Sequence, residues 1–136
     1  MNAHSLHGAT PLWGAAKTHH LNSAQFLLAH SADPNLSHSI DGYTPLQTCC
    51  YYDDVQIARL LIAHHANVNL AKSPSETPLH LAVIFNSSKM IPLLIANGAD
   101  IYSDDINCGT PLHVAADKDA LQIMQVFLRY NHHYAN

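Results

Sequence analysis

Apolar and polar residues alternate in blocks along this chain, and the blocks return at a fixed interval. Runs beginning Thr-Pro-Leu start at Thr10, Thr44, Thr77 and Thr110, at spacings of 34, 33 and 33 residues. Each is followed by a short break, at His19-His20, Asp53-Asp54, Asn86-Ser87 and Asp119-Ala120. A second apolar run comes next, carried by Phe26-Leu-Leu, Leu60-Leu-Ile, Leu93-Leu-Ile and Val126-Phe-Leu. A period of about 33 residues is the length of one helix-turn-helix unit with its connecting turn. The pattern therefore predicts a stack of like units rather than one closed core.

Within a unit, Thr is expected to cap the first helix, and Pro fits its first turn, where a missing N–H costs nothing. The first helix is short, for example from Pro45 to about Tyr51. Helices very commonly end on a left-handed residue; at the breaks Asp53, Asn86 and Asp119 tolerate that conformation well and His19 less so. The second helix buries a stripe such as Val55, Ile57, Ala58, Leu60 and Leu61. Pro92 falls inside the third unit's second helix, which is tolerable when that helix begins near Ser88. Residues 37–43, 72–76 and 103–109 are expected to project as hairpin-like loops.

The units agree in more than their starts. They read Thr10-Pro-Leu-Trp-Gly-Ala-Ala, Thr44-Pro-Leu-Gln-Thr-Cys-Cys, Thr77-Pro-Leu-His-Leu-Ala-Val and Thr110-Pro-Leu-His-Val-Ala-Ala. Three close with Ser31-Ala-Asp-Pro-Asn, His65-Ala-Asn-Val-Asn and Gly98-Ala-Asp-Ile-Tyr. This closely resembles the ankyrin repeat over nearly the whole chain. The resemblance implies an all-α ankyrin-repeat solenoid, one domain over residues 5–136, with repeats at about 5–38, 39–71, 72–104 and 105–136. It also implies that Cys49 and Cys50 fill small buried alanine positions, and that His80 and His113 tie neighbouring helices together by hydrogen bonds.

Composition narrows the function. The chain has 136 residues, 48% of them apolar and 12% charged, with a net charge of −4. It lacks a basic stripe, which argues against nucleic acid, and an apolar stretch long enough for a membrane span. The start, Met1-Asn-Ala-His-Ser-Leu-His, does not read as a secretory signal. Three cysteines do not make a disulfide framework. An intracellular, cytoplasmic protein is expected, or one in the host-cell cytosol if it is a delivered effector. Twelve histidines invite a metal reading, but adjacent His pairs point apart on a helix, and the sequence offers no i, i+4 pair. Neither a catalytic constellation nor a Gly-rich phosphate loop emerges. No enzyme activity, metal or cofactor is expected.

Binding to another protein is the function that the resemblance implies, through loop tips and the exposed ends of the helices on the concave face. Carried onto this chain, the site residues are Tyr43, Tyr51, Tyr52, Glu76, Ile84, Phe85 and Lys118. Tyr51, Tyr52, Ile84 and Phe85 make its centre, because contiguous exposed apolar area marks interaction sites; the alternative for Phe85 is packing on a neighbouring repeat. Asp41, Asp53, Asp54 and Glu76 are expected to rim it and favour basic residues on the partner. The chain is expected to be monomeric or to self-associate weakly through its C-terminal repeat. Other readings are a substrate-positioning or regulatory region of a larger enzyme, or a secreted bacterial-type effector. Asn69 and Asn35 also stand where targets of asparagine hydroxylases carry their Asn, although Asn67 and Pro34 depart from the neighbours those enzymes favour.

Overall fold

A computed structural model describes residues 10–38, 42–71 and 76–130. Those residues form eight helices and no named strand: α1 (Pro11–Lys17), α2 (Leu21–Ala29), α3 (Pro45–Tyr52), α4 (Val55–Ala63), α5 (Pro78–Ile84), α6 (Met90–Ala96), α7 (Pro111–Asp117) and α8 (Leu121–Tyr130). The odd-numbered helices pack one on the next, and each packs on the even-numbered helix that follows it. The result is an all-α repeat solenoid in two layers.

Each unit starts by the same local chemistry. The hydroxyl of Thr10 accepts from Trp13 N–H at 3.1 Å, and those of Thr44, Thr77 and Thr110 accept from Gln47, His80 and His113 N–H. In α3, α5 and α7 the third residue's side chain also reaches back to the cap N–H, completing a capping box. Trp13 cannot close that box, because an indole offers no nitrogen acceptor. The breaks behave as the sequence suggests: His19, Asp53, Asn86 and Asp119 all have φ between 53° and 60°.

Neighbouring units are stitched by side chains. Asn35 Oδ1 accepts from Asn67 N–H at 2.6 Å, and Asn69 Oδ1 accepts from Asp100 N–H at 2.7 Å, one unit further on. Asn69 Nδ2 also donates to the Gly98 carbonyl at 3.1 Å. Leu12, Leu46, Ile57, Leu61, Leu79, Leu94 and Phe127 lie in the continuous core.

Two details differ from the expectations above. First, α6 begins at Met90 rather than near Ser88. The Ser87 hydroxyl turns to the Cys50 carbonyl of the preceding unit instead of capping its own helix, so Ser88 and Lys89 form a turn. Pro92 then lies within the first turn, where no N–H is needed. Second, Leu60 is only half-buried and Leu128 is exposed, while Ile57, Leu94 and Phe127 take the central positions. The first spacing of 34 arises between Ala32 and Thr44, one residue longer than from Ala66 to Thr77. The extra residue lengthens the first connecting loop, of which 39–41 lie outside the described residues.

Candidate protein-binding surface

The C-terminal ends of α1, α3 and α5 place equivalent residues side by side. Lys17, Tyr51, Ile84 and Asp117 occupy one position at spacings of 34, 33 and 33, and Thr18, Tyr52, Phe85 and Lys118 occupy the next. Tyr51 and Tyr52 are 54% and 41% exposed, which a core role would not permit. Their rings meet edge to face at 4.8 Å, and Tyr51 meets Phe85 of the next unit in the same way at 4.7 Å. His19 adds its ring to Tyr52 at 4.8 Å. Such edge contacts align positive ring edges with negative faces and hold the rings in place. Ile84 and Phe85 are half-buried against the core, so Phe85 both packs on its neighbour and shows a surface.

A residue the sequence reading passed over extends this band. Trp13 packs on His38 with tilted rings, their centroids 4.2 Å apart, and Lys17 Nζ lies 5.0 Å from the Trp13 ring centroid. Trp13, Lys17, Tyr43, Thr48, Tyr51 and Tyr52 enclose a cleft of about 140 Å³. Small-molecule sites measure about 300–1,000 Å³, so this cleft suits a single side chain. The signal was available: Trp13 stands where the other units carry Gln47, His80 and His113. Trp13 is half-buried there, with its indole Nε1 enclosed and without a hydrogen-bond partner.

The remaining sequence-derived residues divide. Tyr43 and Glu76 are half-buried, each immediately before a capping Thr. Lys118 is exposed at the C-cap of α7. It lies two units from Tyr52, which at ~10 Å per packed helix separates them by ~20 Å. Asp53 and Asp54 are not a free acidic rim. Asp53 Oδ1 accepts from Met90 N–H at 3.1 Å, and Asp54 caps Ile57 while pairing with His19 at 2.9 Å. Asp41 lies outside the described residues. Both carboxylates are thus engaged within the fold, and the charge within the cleft is the cation Lys17.

A wider groove of about 590 Å³ separates α6 from α8, bordered by Ser88, Ile91, Leu121, Ile123 and Val126. Ala24 and Ala58 give way at the equivalent positions to the larger Ile91 and Met124.

Candidate chemistry is sparse. Among the described residues no group of three or more His, Cys, Asp or Glu side chains could hold a metal ion. Cys49 and Cys50 are free and buried, and burial pushes both thiols well up, away from nucleophilic thiolate. Cys108 is pushed up to about 11 by desolvation and by the neighbouring Asp105 carboxylate. No described helix is long and apolar enough to cross a membrane.

A family model described as ankyrin repeats (3 copies) matches residues 12–105 and again residues 72–136. No curated protein matches the chain.

Proposed function

The chain belongs to the ankyrin repeat family, whose members generally act as protein-interaction modules and are typically non-catalytic, and from that premise we propose that it binds another protein without catalysis of its own. The binding surface is the band of Tyr51, Tyr52, Ile84 and Phe85, on the side that is concave in such arrays, with Tyr43 and Trp13 along one edge. The observation that carries this reading is the exposure of Tyr51 and Tyr52, at 54% and 41%, in an edge-to-face cluster that continues into Phe85. Helix stacking has no need of exposed aromatic rings at these positions, while Tyr is enriched among binding hot spots. The partner presents an apolar or aromatic side chain to the cleft. Glu76 and Lys118 are peripheral contacts, and Lys118 is reached only by a partner spanning three units. Buried free thiols suit a reducing compartment such as the cytoplasm.

Asn35 and Asn69 remain candidates for hydroxylation, although both amides already bridge units. A modifying enzyme would have to open that bridge first.

The test is affinity capture with the parent chain and with the Tyr51→Ala, Phe85→Ala double variant. Each hot-spot ring is worth ~2 kcal/mol or more, so proteins held by the parent should be lost from the variant with its helical circular dichroism unchanged. A folded variant that captures the same proteins equally well removes this surface from consideration. A variant that unfolds shows the rings to be structural, and the reading fails on that ground.

A further inference from the structure

The two ends of the stack expose positions that the interior covers. Phe26 corresponds to Leu60, Leu93 and Val126 at spacings of 34, 33 and 33. Those three are half-buried, whereas Phe26, in the first unit, is 58% exposed. The trend reverses at Leu28, Ile62, Ile95 and Leu128. Leu28 is buried, Ile62 and Ile95 are half-buried, and Leu128, in the fourth unit, is 39% exposed. The Phe26 position therefore faces the preceding unit, and the Leu128 position faces the following one.

Polar groups at the same junctions give the register. His19 at the first break pairs with Asp54 of the second unit at 2.9 Å. Asp53, the residue equivalent to His19, accepts from the N–H of Met90 in the third unit at 3.1 Å. The equivalent residue of the fourth unit is Asp119, which is exposed. In the first unit the equivalents of Asp54 and Met90 are His20 and Ser23, both exposed. His20 stands at the N-cap of α2 but makes no side-chain cap, and its Nδ1 engages Thr18 Oγ1 at 2.9 Å instead. Repeating the step of the first two junctions from the fourth unit brings Asp119 against His20 and Ser23 of a second copy. It brings Leu128 against the second copy's Phe26. The contact is that of His19 and Asp54 with its order reversed, and a carboxylate arrives at a helix N-terminus, where it is favoured.

We propose that the chain associates head to tail with a second copy of itself, the end face of Leu128 and Asp119 receiving the end face of Phe26 and His20. The contact is heterologous and does not close, so growth continues through dimers to longer rods. It leaves the aromatic band on the first-helix layer free, and it stands independently of the binding function proposed above.

Sedimentation velocity from micromolar to millimolar concentration tests this. The parent's mass should rise with concentration. Phe26→Glu and Leu128→Glu should each remain monomeric, because each loses one of the two faces. An equimolar mixture of the two variants should form dimers and stop there, since each contributes one intact face. Asp119→Gly keeps the left-handed backbone and removes the carboxylate, and should weaken association roughly two- to fivefold. Circular dichroism checks every variant, and a glutamate variant that loses helical signal is replaced by Phe26→Gln or Leu128→Gln. A parent that stays monomeric throughout overturns the proposal. So does a Phe26 variant that still self-associates, which would mean that two α8 faces meet symmetrically, or a mixture that stays monomeric.

Discussion

His80 Nε2 lies 2.8 Å from the carbonyl oxygen of Gly109, so one fully buried ring joins the third unit to the start of the fourth. The same ring's Nδ1 faces Thr77, 3.4 Å from its N–H and 2.8 Å from its hydroxyl. With Nδ1 accepting from that N–H, the proton sits on Nε2 and is donated to Gly109, which selects the tautomer. Replacing His80 by Ala removes one of two donors to that carbonyl, which also accepts from the Asp105 N–H at 2.9 Å, so the lost hydrogen bond costs ~0.5–1.5 kcal/mol. Urea melts should show that loss for His80→Ala and a smaller one for the exposed His113→Ala.

Gly109 is constrained twice. Its φ is +78°, and a Cβ added there would lie 2.9 Å from the His113 ring. Gly98 has φ +92° but open space around the same atom. Gly98→Ala should therefore cost ~1–2 kcal/mol from backbone alone, and Gly109→Ala more. Adding His113→Ala to Gly109→Ala should recover part of the difference, read as a coupling energy from the two single variants and the double.

Leu94 and Leu128 separate core from surface within similar apolar runs. Leu94 is fully buried, so Leu94→Ala should cost ~2–5 kcal/mol. Leu128 is 39% exposed, and its truncation should stay within ~1 kcal/mol. Denaturant melts at micromolar concentration, below any association, compare them directly.

Much of this was legible in the sequence, because one period aligns every unit. The Thr caps, the first-turn prolines and the left-handed residues at His19, Asp53, Asn86 and Asp119 follow from local chemistry that repeats with the motif. What periodicity hides is the difference between equivalent positions. Leu60 and Leu61 are both apolar, yet only Leu61 reaches the centre. Ser87 takes the place of Asp54 but turns to the neighbouring unit, and α6 starts late as a consequence. Asp53 and Asp54 look like free acids until their partners, Met90 and His19, are placed beside them. In the candidate surface, Tyr51 and Tyr52 stood out as aromatics at positions where a repeat needs none. Trp13 is marked in the sequence only as the odd residue at the position of Gln47, His80 and His113, and its role depends on His38 and Lys17 folding against it.

Thiol chemistry gives an independent check on burial. Cys108, pushed up to about 11, should be labelled slowly by iodoacetamide at pH 8, with ~0.1% of it as the reactive thiolate. The sign is fixed: thiolate forms as pH rises toward that value, so the rate should climb steadily between pH 8 and 10. Asp105→Asn removes a neighbouring negative charge, lowers the Cys108 value and should speed labelling at constant pH. Cys49 and Cys50, buried and raised further from reactivity, should be modified only on unfolding, as mass spectrometry of intact protein would show.

The binding surface itself is tested most directly by titrating a purified partner, obtained by affinity capture, onto the 15N-labelled chain and following amide and indole resonances. The account predicts perturbations centred on Tyr43, Tyr51, Tyr52, Ile84 and Phe85, with the Trp13 indole signal moving alongside them. Perturbations confined to the second helices α2, α4, α6 and α8, with the aromatic band unmoved, would contradict it.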